Sequence, residues 1–152
     1  MTEKLLYSDS ETLKHINQVR ENLWKMILAL DERAKNHDKS KLESPEREIF
    51  AEHCQELAKV EYGTQEYKDL LQKVKPAIDH HYSKCRHHPE HFNNGLNGFD
   101  LIDLVEMICD WAAATARNKN GNIHKSIEIN SEKYGIPEML ANILSNTVNR
   151  YF

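Results

Sequence analysis

Five groups of residues in this chain have the right types to hold a metal ion: His15, the pair His37-Asp38, the pair His80-His81, the cluster His87-His88 with His91, and Asp110. Divalent transition metals take neutral imidazole nitrogens and carboxylate oxygens, at about 2.0–2.2 Å, and need them to converge from separate elements. The centre of the pattern is His37-Asp38 within "NHDKSK", residues 36–41. Nine histidines and eight aspartates among 152 residues give about half a His-Asp pair by chance, so the dyad gains meaning only from its surroundings.

The elements that must position these groups read as helices. From Glu11 to about Asn36, apolar residues fall at Leu13, Ile16, Val19, Leu23, Ile27 and Leu30, which are helix intervals, and Ser8, Asp9 or Ser10 can cap the start. In "LESPEREIF", Ser44 suits an N-cap, Pro45 the first helical position, and Glu46 and Glu48 the positive helix end; that helix reaches about Val60. Gly63 then breaks the chain and Thr64 caps a helix that is kinked or restarted at Pro76. Residues 86–98, "RHHPEHFNNGLNG", read as a loop, and Asp100 caps a strong helix to about Arg117. "NKNGN" is another break, Ile123–Tyr134 a helix stopped by Gly135, and Pro137 starts the last one, to about Asn149. No run alternates at period two over strand length. The expectation is an all-α, single-domain bundle of six or seven helices over residues 1–152, with its core at about 11–118 and C-terminal helices at 122–149.

Composition excludes several functions. A formal net charge of −4 gives no basic footprint for duplex nucleic acid. The longest apolar run, Met26-Ile27-Leu28-Ala29-Leu30, is too short to span a membrane, and the first residues show no signal peptide. Three cysteines, Cys54, Cys85 and Cys109, without paired spacing fit a reducing cytoplasm. Cys54 and Cys109 fall on apolar faces and read as core, so a cysteine nucleophile is not expected.

His15, then His37-Asp38 with Lys41 three residues on, then Asp110 in "MICDWAAAT", resemble the H…HD…D signature of HD-domain metal-dependent phosphohydrolases. The pair in "DHHY", 79–82, is similar to the His-His pair of the two-metal branch of that superfamily, and the resemblance covers roughly residues 11–118. The chain as a whole also looks like an uncharacterised family of short bacterial and phage proteins of this kind. Two features depart from the pattern: "HHYSKCRHHPEHF" replaces the GYP element of the cyclic-dinucleotide branch, and "DKSK" offers lysines where nucleotide-monophosphatase relatives carry an acid. The resemblance implies an HD-like fold and one or two divalent metals, drawn from Mn, Fe, Co, Ni or Zn. His15, His37, Asp38 and Asp110 would hold the first, and Asp38 would bridge to a second held by His80 and His81. Asp38 and Lys41 would serve catalysis, with Lys41 and Lys39 neutralising phosphate charge, and Arg86, His87, His88 and His91 would meet the substrate.

Geometry constrains these roles. Neighbours on a helix point about 100° apart, so His80 and His81 cannot share a face; His81 lies nearer Ile78, Tyr82 and Cys85 and is the safer ligand. The cluster His87-His88-His91 could equally be a solvated turn, or join Cys85 in a structural zinc. On its helix Asp110 belongs to a narrow polar stripe, Asp103, Glu106, Asp110 and Arg117, opposite a broad apolar face, which suits the lining of a cleft. His15 and His37, 22 residues apart, would stand about 33 Å apart on one straight helix. A shared metal therefore requires the chain to fold back between them, yet no Gly or Pro from Leu13 to Asp38 marks a turn, and Asn22 or "ALDE" are the only hints.

The leading expectation is an enzyme: a cytoplasmic metal-dependent phosphohydrolase acting on a small phosphate ester, such as a nucleotide, through a metal-activated water. The alternatives are an HD-type di-iron oxygenase and a non-catalytic helical binding module of phage or mobile-element origin. A small-molecule substrate is the expected partner, without duplex nucleic acid or membrane, and Tyr151 and Phe152 could bury in a homodimer.

Overall fold

The computed structural model describes residues 2–57, 59–60, 64–117 and 120–152, with Cys54 described by its backbone alone. The expected break at Gly63, part of that at "NKNGN" and the core placement of Cys54 lie outside the described residues. Among them the chain is all α: six helices with three short 3-10 turns. The chain forms two compact units, residues 1–36 and 37–152.

The first unit is one helix, α1 (Glu3–Asn36), 34 residues without interruption. Ser8, Asp9 and Ser10 therefore lie inside it rather than capping it. The fold-back expected between Leu13 and Asp38 does not occur. Asn22 lowers helix propensity by only a few tenths of a kcal/mol, and "ALDE" is built of residues that continue a helix. Short-range pairs also support it, such as Lys14 to Glu11 at 2.7 Å and Gln18 to Asn22 at 3.3 Å. None of its residues is buried.

The second unit places two layers of helix around a polar junction. α2 (Glu46–Leu57) packs on α3 (Gln65–Lys84), which runs through Pro76 without ending. The α3 residues Leu70, Val74, Ala77 and His81 are buried at helix intervals. Thr64 caps α3, accepting from the Tyr67 amide at 3.2 Å. α4 (Leu101–Ala116), α5 (Ile123–Tyr134) and α6 (Glu138–Tyr151) share the main apolar cluster of Met107, Ile108, Ile127, Ile136, Leu144 and Val148. The C-terminal helices α5 and α6 thus contribute Ile127, Leu144 and Val148 to this cluster. Asp100 caps α4 through a reciprocal box with Asp103, and Gly135 ends α5 at φ 64°, a conformation that glycine adopts freely. Cys109, expected in the core, is exposed, because α4 turns Met107 and Ile108 inward instead.

Between α3 and α4 runs the histidine-rich connection, with 3-10 turns at Pro89–His91 and Gly95–Gly98. A third 3-10 turn, Lys39–Leu42, carries the residues after the dyad. Among the described residues no helix is long and apolar enough to cross a membrane.

Candidate metal centre

His37 and Asp38 open the second unit. Asp38 has φ 56°, the left-handed conformation that aspartate tolerates better than most residues, at a cost of order 1 kcal/mol. From that turn its two carboxylate oxygens meet two different sets of side chains.

Oδ1 lies 3.2 Å from His81 Nε2 and 3.6 Å from His87 Nε2, and His81 Nε2 lies 3.0 Å from His88 Nε2. Asp38, His81, His87 and His88 each offer one ligand atom to this first set. Four ligands around a tetrahedral ion with bonds of about 2.0–2.1 Å stand roughly 3.3–3.4 Å from one another. The observed separations bracket that value. Oδ2 faces a second set, with His37 Nε2 at 3.6 Å, which is itself 3.7 Å from Asp110 Oδ1. His37, Asp38 and Asp110 form that set.

Two buried atoms make the case that an ion fits. Asp38 Oδ1 and His87 Nε2 are both sealed from solvent without a hydrogen-bond partner, although they face each other. Buried polar atoms are rarely left so. An ion between them would accept a lone pair from each.

Carboxylates behind the histidines fix their orientation. Glu106 Oε1 lies 2.9 Å from His37 Nδ1 and 3.1 Å from His87 Nδ1. Glu46, fully buried, places Oε2 3.0 Å from His81 Nδ1 and Oε1 2.7 Å from His80 Nδ1, and Ser40 donates to Oε2 at 3.1 Å. Carboxylate–histidine–metal arrangements of this kind hold the tautomer and raise ligand basicity. His37, His87 and Glu106 also form a compact trio. Because Glu106 meets both rings at Nδ1, the Nε2 atoms of His37 and His87 are left to face Asp38.

Several expected site residues have other places. His15 sits mid-helix in α1, 21 residues before its end and so about 31 Å along the axis from Asn36. It is exposed, and none of the metal-capable groups among the described residues includes it. His80 points to Glu46 and not into either metal-capable set, because it stands about 100° round the helix from His81. Arg86, expected at substrate, grips buried Asp103 with two bonds of 3.0 and 2.7 Å. His91 ties the loop to α3 through the Tyr82 carbonyl at 2.9 Å. His87 and His88, expected at substrate, stand with Asp38 and His81 in the first metal-capable set. Lys41 reaches Asp38 Oδ2 at 2.6 Å from the exposed side, and Lys39 is exposed on the same turn. Glu46 and Glu106 were not foreseen. Glu106 carried a signal, lying four residues before Asp110 on the same acidic stripe.

The carboxylates set the protonation of the metal-free site. Asp110 and Glu106 raise His37 from its ordinary 6.5 to about 10, against the effect of burial. Burial lowers the His81 value, but Asp38 and Cys85 outweigh it and bring it to about 9. Burial, with His87 and His81 nearby, takes His88 down to about 4. Burial also raises the Asp38 value, yet His81 and Lys41 hold it well below the usual carboxylate range. Raised histidine values mean that these ion pairs stabilise the metal-free fold fully below pH 6.5 and lose that contribution as pH climbs through about 9 and 10. Metal competes for the same nitrogens. At pH 7, loading is expected to release protons from His37 and His81, and apparent affinity should rise with pH until about 9–10. Calorimetric titration in buffers of different ionisation enthalpy checks this; a proton count of zero would contradict it.

Residues 4–150 match the model of a protein family described as a family of unknown function, DUF5662. The chain belongs to that family. None of the curated proteins matches it, and none of the solved structures does.

Proposed function

We propose that this DUF5662 protein is a two-metal hydrolase of small phosphate esters, with nucleotides as its substrate class. The observation that carries the reading is the single carboxylate of Asp38, which offers Oδ1 to one ligand set and Oδ2 to the other. It also favours the resemblance to the two-metal branch of HD-domain phosphohydrolases, with Asp38 in the bridging place. Bound there, divalent metals supply a water of near-neutral pKa and polarise a phosphoryl oxygen.

The residues divide the work unequally. Asp38, His81, His87 and His88 would offer four ligand atoms to one ion, whereas His37, Asp38 and Asp110 would offer three to the other, the set better suited to catalysis. The imidazole-rich first set suits zinc, iron or nickel, and the carboxylate-rich second set suits manganese or iron. Lys41, on the solvent side of the second set, neutralises phosphate charge as it develops, with Lys39 beside it. Glu106 and Glu46 hold the imidazoles in register.

Elemental mass spectrometry of the purified protein, followed by phosphate release from a nucleotide panel, tests the reading. One or two equivalents of metal and turnover are expected. Lys41→Ala should keep its metal and lose on the order of a hundredfold in kcat/KM. A wild type that stays metal-free after incubation with Mn, Fe and Zn would remove the proposal. The complete first set also suits a structural ion, so metal without turnover would select the binding-module reading instead.

A further inference from the structure

α1 is a long helix with an apolar stripe along its length and no buried residue. Leu13, Ile16, Val19, Leu23, Met26 and Ile27 are all 40% or more exposed. At 100° per residue these side chains, with Leu5 and Leu30, fall within an arc of roughly 140°. Within it, Ile16, Val19, Leu23, Met26 and Leu30 alternate at spacings of three and four, the seam of a two-stranded coil. Such a seam is complementary to another copy of itself.

We infer that α1 pairs antiparallel with α1 of a second copy of this chain. The area suffices: a helix of about 51 Å by roughly 10 Å diameter, covered over this arc, contributes about 620 Å² per partner, within the range of roughly 600–1,000 Å² per partner of a standard interface. Charge selects the direction. Continued outward, the seam reaches Asp9 at one end and Arg33 at the other. A parallel pair sets Asp9 against Asp9 and Arg33 against Arg33. An antiparallel pair centred at position 21 sets Asp9 opposite the partner's Arg33, Thr12 opposite Leu30, Ile16 opposite Met26, and Val19 opposite Leu23. Arg20 flanks the two-fold axis, where its length carries the guanidinium out to water. α1 has six acidic and six basic residues, so two copies meet without net repulsion.

Light scattering of the full chain after size exclusion, at 10–100 μM, tests the pairing. The expected mass is twice the 17.8 kDa of one chain. Leu23→Glu should give a monomer in which residues 37–152 keep their fold, since Leu23 is 60% exposed within its own chain. Asp9→Arg and Arg33→Asp should each weaken association about tenfold, and the double exchange should restore it. A monomeric wild type across this range overturns the pairing. A dimer indifferent to Leu23→Glu overturns the role of α1, and one that the double exchange fails to restore overturns the antiparallel order.

Discussion

Asp38→Asn is expected to yield a folded protein that holds no metal at either set. Asparagine accepts the left-handed backbone at φ 56° about as well as aspartate, so the turn that aims residue 38 is kept. What disappears is the one anionic group common to both sets, and with it the charge that offsets each ion. The loss should exceed the roughly 10–100-fold that follows removal of an outer partner, the size expected for Glu46→Gln. Variants confined to one set separate the two. His88→Ala removes a ligand from the first set alone, and Asp110→Asn from the second alone, so each should retain about one equivalent where the wild type binds two. Metal content after dialysis against the free ion gives the stoichiometries. Full occupancy in Asp38→Asn, or loss of both ions in His88→Ala, would contradict a shared carboxylate.

Arg86→Ala is expected to cost stability rather than substrate binding. Its guanidinium meets both oxygens of Asp103, whose side chain is fully buried, and Asp103 also closes the capping box of α4 through the Asp100 amide at 3.1 Å. Removing the cation strands a buried carboxylate, a change of about 3–5 kcal/mol for fully buried pairs. Because the Arg86 side chain is 41% exposed, solvent screens part of this, and roughly 2–3 kcal/mol is the reasonable size. For a chain of this length that lowers Tm by about 4–12 °C. Arg86→Lys should recover little, since an ammonium group cannot grip both oxygens. Scanning calorimetry measures the effect; an unchanged Tm would return Arg86 to the surface.

The residues at the centre were legible to the degree that their chemistry is local. His37 and Asp38 are adjacent, His81 was favoured over His80 by helical angle alone, and Asp110 stood on a stripe too narrow for an ordinary solvated face. His87 and His88 were noticed, but a loop has no periodicity from which to tell ligand from lining. Glu46 was invisible for a different reason. At a helix start it resembles Glu48, and only packing of α2 on α3 buries one and exposes the other. His15 misled because its type and spacing fit a signature whose geometry needs a turn. The absence of glycine and proline already spoke against that turn, and α1 runs straight through. The helix boundaries followed their punctuation best at Thr64, Asp100 and Gly135, where cap chemistry acts within a few residues.

The metal-capable residues come from distant places in the chain: 37–38, 81–88 and 110. Seen as polymer physics, an ion at the first set joins points 43 residues apart, and an ion at the second joins 38 to 110. Closing a loop of about 40 residues removes roughly 4 kcal/mol of chain entropy from the unfolded state on the model used for disulfides. Cys85 and Cys109 are free and cross-link nothing. The metals would therefore be reversible staples for a chain that has few covalent means of restraint, and chelation would act on it as reduction acts on a disulfide-bonded protein.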